Sequence, residues 1–178
     1  MTRSLRPLLA TTLIFLFAYA LAVSQQPAML STRVLGNFLT DNAFLGIAAV
    51  GMTFVILSGG IDLSVGAVIG FTTVLIAVLI MWLNLHPLIA FAIALIVAAA
   101  FGAIMGAAIH YLKVPSFIVT LAGMFLARGG ASVLSPDSIG IEHPFFSAVQ
   151  KSYILLPGGG RLTVVGMIML AVFAVAIL

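Results

Sequence analysis

The sequence has no cysteine and very few charged side chains. Seven Lys/Arg and four Asp/Glu account for only 6% of its 178 residues, against 63% hydrophobic residues. Without cysteine the chain can form neither a disulfide nor a thiolate metal site. So few charges cannot cover a water-soluble globule of this size, whereas a lipid environment removes that requirement. The composition therefore indicates an integral membrane protein.

Signatures of enzymes and of nucleic-acid binding are also missing. There is no G-x-S-x-G or H-E-x-x-H pattern, and His86, His110 and His143 are scattered. The glycine run that begins at Pro157 is followed by Arg161 and lacks the lysine and Ser/Thr of a phosphate loop. No Lys/Arg cluster is present, so the net charge of +3 reflects membrane orientation. We expect no catalytic residue, no metal, no cofactor and no ATP hydrolysis by this chain itself.

Long apolar runs predict five to six membrane-spanning helices. A helical span needs about 20 apolar residues, and these runs are too continuous for the alternating pattern of barrel strands. The predicted spans are Leu8–Ser24, Asn42–Ser58, Leu63–Leu83, Leu88–Tyr111, Ser116–Leu134 and Leu162–Leu178. The predicted fold is an all-α, polytopic transmembrane helix bundle with a broken helix near residues 58–64.

Arginines at the N-terminus predict the orientation of this bundle. Arg3 and Arg6 precede the first apolar run, which is typical of an uncleaved first span with a cytoplasmic N-terminus. The alternative is a cleaved signal peptide, because Ala20–Ala22 resembles a signal-peptidase site. With the N-terminus inside, the loop at Lys113 lies on the cytoplasmic side and the polar segment Ser135–Arg161 faces outward.

The most informative feature is a polar interruption between the second and third predicted spans. Gly59 and Gly60 allow the preceding helix to end in a left-handed conformation. The carboxylate of Asp62 can then accept a hydrogen bond from the backbone N–H of Ser64 or Val65 and cap the next helix. Non-helical backbone at membrane depth is tolerated only beside protein or a water-filled cavity. Asp62 therefore either caps the helix, which we favour, or contacts substrate or gating water.

Small and polar residues form a stripe on each helix beside this interruption. Residues 42, 46, 49 and 53 share a face of the second span, and residues 62, 66, 70 and 73 share a face of the third. Two explanations stay open: close helix packing through small residues, or a path for a hydroxylated solute. Our candidates for lining or shaping such a path are Asn42, Thr53, Ser58, Asp62 and Ser64, with Gly59 and Gly60 as the backbone break.

Two further features have alternative interpretations. Arg128, inside the fifth predicted span, either snorkels outward along its stem or pairs with a carboxylate of a neighbouring helix. In the outer segment, a short amphipathic helix is predicted to begin near Pro144, with Phe145, Phe146 and Tyr153 on one side. This helix either lies on the bilayer or docks a soluble partner, for which these three aromatic residues are the candidates.

The residues around the break resemble a known family. Residues 40–47 and 51–66, including the run Gly59-Gly60-Ile61-Asp62-Leu63-Ser64, are similar to the permease subunits of bacterial ABC sugar importers of the ribose/galactose/xylose branch. Residues 114–124 are similar to the next landmark of that family, and the segment around Arg128-Gly129 also fits. Residues 139–144 and 156–162 most closely resemble the galactofuranose importer permease, one of two paralogous permeases in its system.

This resemblance implies a role and a set of partners. The chain would form the translocation path of an ATP-driven monosaccharide importer, with galactofuranose as the candidate sugar, in the bacterial inner membrane. Its partners would be a second permease subunit, cytoplasmic ATP-binding subunits and a periplasmic sugar-binding protein. Because permeases of this family are nearly twice as long, we expect residues 1–178 to be the N-terminal part of a single transmembrane permease domain. The alternative function is a secondary transporter or channel with Asp62 as its ion or proton site.

Overall fold

A computed structural model describes the chain from residue 5 to residue 177, and most of these residues are helical. Arg3, on which the predicted orientation partly depends, lies outside the described residues, as does the side chain of Arg6. The helices are α1 (Leu5–Gln25), α2 (Thr32–Asp41), α3 (Ala43–Leu57), α4 (Val65–Met81), α5 (Pro87–Leu112), α6 (Ser116–Leu134), α7 (Pro144–Lys151) and α8 (Val164–Ile177). A 3-10 helix (Pro27–Leu30) and the strands β1 (Tyr153–Leu155) and β2 (Arg161–Thr163) complete the elements.

Every predicted apolar run coincides with a helix, so the predicted all-α bundle is confirmed. Within residues 5–177, α5 and α6 are long and apolar enough to cross a membrane, and α2 with α3 would add a third span if this bent pair crosses as one. The remaining apolar stretches are shorter, namely Leu9–Gln25 within α1, the helix α4 and the helix α8. The 17 residues of α4 reach about 26 Å, slightly less than the roughly 30 Å hydrocarbon core. The total of five to six spans stays a prediction.

The structure differs from the sequence prediction in two connecting segments. The segment between the first two predicted spans, residues 25–41, is expected to be a polar connection but is largely helical. The Ser31 hydroxyl accepts a hydrogen bond from Val34 N–H at 3.3 Å and caps the start of α2. The amphipathic helix begins at Pro144 as predicted but ends at Lys151, so the placement of Tyr153 on it is wrong. Tyr153 instead pairs with Thr163 in a two-stranded antiparallel hairpin. A helical periodicity cannot anticipate this strand, because its partner lies ten residues further along the chain.

The chain divides into two compact units. The first consists of Met1–Gly46 and Gln150–Leu178, and the second of Ile47–Val149. In the first unit, the hairpin lies directly on α2: a side chain at Gly36 would collide with the Arg161 carbonyl, and one at Gly160 with the Thr32 carbonyl. Glycine is therefore needed at both positions for the two backbones to approach.

In the second unit, α4 packs mainly against α6 and α5. The Phe71 ring of α4 lies 3.1 Å from where a Cβ at Gly130 of α6 would be, so these helices also meet closely at a glycine. At the turn from α4 to α5, the buried residues Leu79, Ile80 and Ala90 form a core that Phe146 of α7 covers. This arrangement fixes the start of α4, where the polar interruption lies, beside the start of α6.

Candidate functional site

The interruption between α3 and α4 begins with a tightly defined helix end. Gly59 has a φ of 76°, in the left-handed region. The N–H of Gly60 donates to the Val55 carbonyl, and the N–H of Gly59 donates to the Ile56 carbonyl, both at 3.0 Å. This pair of bonds is the Schellman motif, in which glycine at the left-handed position closes a helix. The predicted left-handed helix end is therefore present at Gly59.

Asp62 organises the start of the next helix. One oxygen of its carboxylate, Oδ1, accepts hydrogen bonds from the Ser64 backbone N–H at 2.7 Å and from the Ser64 hydroxyl at 2.6 Å. Ser64 is only 1% exposed and occupies the N-cap position of α4. Asp62 therefore forms a local turn that begins two residues before the cap, and the predicted bond from Ser64 N–H is present.

Two side chains of α6 satisfy the non-helical backbone of the interruption. The Ser116 hydroxyl accepts from Ile61 N–H at 3.1 Å, and the Thr120 hydroxyl accepts from Leu63 N–H at 3.2 Å. The Thr120 hydroxyl also lies 3.2 Å from the Ile61 carbonyl, to which it can donate. Buried peptide groups outside a helix need such partners, most of all in lipid. We call residues 59–64 together with these two side chains the pinned break.

Sequence reasoning did not assign a role to Ser116 or Thr120. The available signal is their spacing: two hydroxyl residues four apart on the first turns of an apolar helix, directly after Pro115. Such a pair projects from one face of the helix, and a polar face at a helix end needs a polar neighbour. The sequence alone could not identify that neighbour as the Asp62 segment, 55 residues earlier in the chain.

The other candidate path residues do not join the pinned break. The Thr53 hydroxyl donates to the Ala49 carbonyl at 2.8 Å, and the Ser58 hydroxyl donates to the Val55 carbonyl at 2.7 Å, each within α3. Asn42 belongs to the first unit, where its side-chain amide donates to the Phe38 carbonyl at the end of α2. Of the five candidates, the structure brings only Asp62 and Ser64 into direct contact, and a path role for the others stays a prediction.

The candidate aromatic residues of the segment after α6 pack within their own units. The half-buried Phe145 ring lies 5.8 Å from the His86 ring at the start of α5, and the Phe146 ring lies 5.9 Å from Phe91. Tyr153, in the first unit, is 39% exposed, with the Arg161 guanidinium 4.7 Å from its ring centre. Their docking role stays a prediction, and Tyr153 is the most accessible of the three.

An apolar helical bundle with a polar break that neighbouring side chains hold in place is an arrangement found in membrane transport proteins. A family model described as "Branched-chain amino acid transport system / permease component" matches residues 34–178. The chain belongs to this permease family.

Named relatives agree with this family. The "Inner membrane ABC transporter permease protein YjfF" of Escherichia coli K12 is 53% identical over 171 residues, which cover 96% of this chain and 52% of the relative. The "Fructose import permease protein FruG" of Bifidobacterium longum is 35% identical and covers 84% of this chain and 45% of the relative. The "Xylose transport system permease protein XylH" of E. coli K12 is 39% identical, with 71% and 33% covered.

These matches confirm the resemblance to permeases of ABC sugar importers, without pointing to galactofuranose. The relatives are named as permease components of transporters, and not as catalytic subunits. The chain spans about half the length, or less, of the curated relatives that it matches. No solved structure matches the chain.

Proposed function

We propose that this chain forms part of the translocation path of an ATP-driven importer that carries a monosaccharide across the bacterial inner membrane, with galactofuranose as the sugar. The observation that carries the proposal is the pinned break: non-helical backbone between apolar helices, with its peptide groups held by Ser116 and Thr120. In a membrane, such backbone occurs only inside protein or beside a water-filled cavity. The relatives' names as ABC, fructose and xylose permeases support the energy source and the substrate class.

The proposal assigns roles to the candidate residues. The break is shaped by Asp62, Ser64, Gly59 and Gly60. The translocation path is lined by Asn42, Thr53 and Ser58. We further propose that residues 1–178 belong to a single permease domain.

The proposed partners are those expected of an ATP-driven sugar importer. A second permease subunit would complete the path, cytoplasmic ATP-binding subunits would supply the energy, and a periplasmic sugar-binding protein would deliver the substrate. We propose that the binding protein docks on the outer side, near Tyr153 and the α7 residues Phe145 and Phe146, and that the N-terminus is cytoplasmic.

The proposal is tested by uptake of radiolabelled sugars into membrane vesicles that contain the full permease and its partner subunits. We expect uptake of galactofuranose that requires ATP and stops when the ATP-binding subunits carry a hydrolysis-blocking substitution. A protonophore should leave this uptake unchanged. Uptake that needs a proton gradient and no ATP would contradict the assignment to the ATP-driven importers. ATP-dependent uptake of ribose, xylose or fructose in place of galactofuranose would contradict only the choice of sugar.

A further inference from the structure

An open groove with a partly polar lining lies between α4 and α6, a short distance beyond the pinned break. Its volume is about 370 Å³. The exposed side chains of Arg128 and Ser132 are the polar part of a lining that otherwise consists of Gly66, Gly70, two alanines and Phe71. This volume falls within the roughly 300–1,000 Å³ that is usual for small-molecule sites. Because Gly66 follows Ser64 by only two residues, the groove continues directly from the break along the same helix.

Arg128 places a charge inside a helix that is long and apolar enough to cross a membrane. It is the only charged residue of α6, and it follows Ser116 by twelve residues, or about 18 Å along the helix. A charged side chain at membrane depth marks a functional site unless it is paired or reaches water. Within residues 5–177, no hydrogen bond or ion pair engages the Arg128 guanidinium. Its several N–H donors are therefore available to acceptors from elsewhere.

The opposite wall of the groove, on α4, consists of Gly66 and Gly70 with the side chains of Ala67 and Phe71. A Cβ placed on Gly66 or Gly70 would meet no atom within 4 Å, so these glycines do not serve close packing inside this unit. Ser132, one turn beyond Arg128, adds a hydroxyl whose oxygen donates only to the Arg128 carbonyl, at 3.2 Å. The groove thus offers room on one wall and hydrogen-bonding groups on the other.

A second cavity in the same unit provides a contrast. It encloses about 360 Å³, but only apolar residues and one glycine line it, among them Val97, Phe101 and Leu126. That cavity has no group with which to recognise a polar solute. Of these two cavities of equal size, the one with Arg128 is therefore the one suited to a hydroxylated molecule.

We propose that the α4–α6 groove is a subsite for a neutral monosaccharide on its way through the permease, and that Arg128 donates hydrogen bonds to the sugar oxygens there. Gly66 and Gly70 leave space for the sugar ring, and Ser132 contributes a second polar group. The inference rests on the proposed sugar-import function and adds a location and a recognising residue to it.

Accessibility of an introduced thiol tests whether the groove holds water and sugar. Residues 1–178 contain no native cysteine, so Ser132→Cys and Gly70→Cys introduce single thiols into this part of the full permease. We expect a water-soluble maleimide to label both, and saturating transported sugar to slow the labelling. Leu95→Cys is the matched control, because Leu95 lies on apolar α5, is 71% exposed and lines neither cavity. It should remain unlabelled.

Substitution of the guanidinium tests its role in transport. Arg128→Gln should lower the rate of sugar uptake at saturating sugar by about tenfold, the cost of losing a charged hydrogen bond. ATP hydrolysis stimulated by the binding protein should continue, and Arg128→Lys should restore part of the uptake. A purely structural arginine would instead lower uptake, hydrolysis and the amount of assembled complex together.

Several results would overturn the subsite. They are unreactive thiols at both groove positions, labelling that sugar does not slow, normal uptake by Arg128→Gln, or loss of assembly in Arg128→Gln that Arg128→Lys restores. The last result would indicate a carboxylate of another helix as the partner of Arg128. Failure of the proposed function itself is recognised separately, because the unsubstituted permease would then show no ATP-dependent sugar uptake at all.

Discussion

At the scale of single residues, the carboxylate of Asp62 is explained by very local bonding. A charge in an apolar chain is costly unless it is solvated or hydrogen-bonded. Here Oδ1 accepts from both the N–H and the hydroxyl of Ser64, its neighbour two positions on. This arrangement favours a structural role for the side chain over that of an ion or proton carrier, which would need a carboxylate free to change its partners.

Two substitutions of Asp62 separate these roles. Asp62→Asn keeps an oxygen acceptor and should unfold at nearly the unsubstituted temperature, with sugar uptake retained. Asp62→Ala removes both bonds to Ser64 and should lose about 1–3 kcal/mol, the usual cost of leaving such hydrogen-bonding groups unpaired, measured by thermal unfolding in detergent. Asp41→Ala, which removes an exposed carboxylate at the end of α2, is the control and should change stability by less than about 0.5 kcal/mol. A stable Asp62→Asn protein without uptake would contradict the structural role.

At the scale of elements, α6 is the support on which the break depends. Thr120 is 4% exposed, and its hydroxyl accepts a hydrogen bond from Leu63 N–H. The Ser116 hydroxyl accepts one from Ile61 N–H. Without these hydroxyls, the peptide groups between α3 and α4 would have to find water. The start of α6 therefore holds the joint between two other helices in place and does not merely pack beside it.

Removing one hydroxyl measures this support. Thr120→Val keeps the shape of the side chain but leaves the Leu63 N–H without its acceptor, so we expect a loss of about 1–3 kcal/mol in thermal unfolding. Thr72→Val is the matched control, because the Thr72 hydroxyl donates only to carbonyls of its own helix α4. It should cost clearly less. Equal losses for the two variants would show that the contact between α6 and the break contributes no special stability.

The elements also show which features the sequence could predict. α6 runs from Ser116 to Leu134 as predicted, because a long apolar run between turn residues leaves little choice. The left-handed helix end at Gly59 could also be predicted, because two adjacent glycines after an apolar helix are a typical C-terminal signal. The hairpin at Tyr153 and the contact of Thr120 with the break were not foreseeable, because both depend on residues distant in the chain. Short sequence patterns therefore predict hydrogen bonds between neighbouring residues, but not contacts between distant segments.

At the scale of the whole molecule, α5 and α6 are the two single helices among the described residues that are long and apolar enough to cross a membrane. The 26 residues of α5 extend about 39 Å and the 19 residues of α6 about 28 Å, enough to span the roughly 30 Å hydrocarbon core with little or no thinning. With α6 across the membrane, the loop at Lys113 and the segment that follows α6 would lie on opposite membrane faces. Which face is cytoplasmic depends on the flanking charges.

Thiol labelling from one side of the membrane tests the predicted orientation of the full permease. Ser138→Cys, in the segment after α6, should react with a membrane-impermeant maleimide in intact cells, because this segment is predicted to face outward. Leu112→Cys, at the end of α5, should react only after the inner membrane is opened. The reversed pattern would contradict a cytoplasmic N-terminus, and labelling of both thiols from the same side would contradict α6 as a membrane span. Because residues 1–178 contain no cysteine, each signal from this part of the permease would come from the introduced thiol alone.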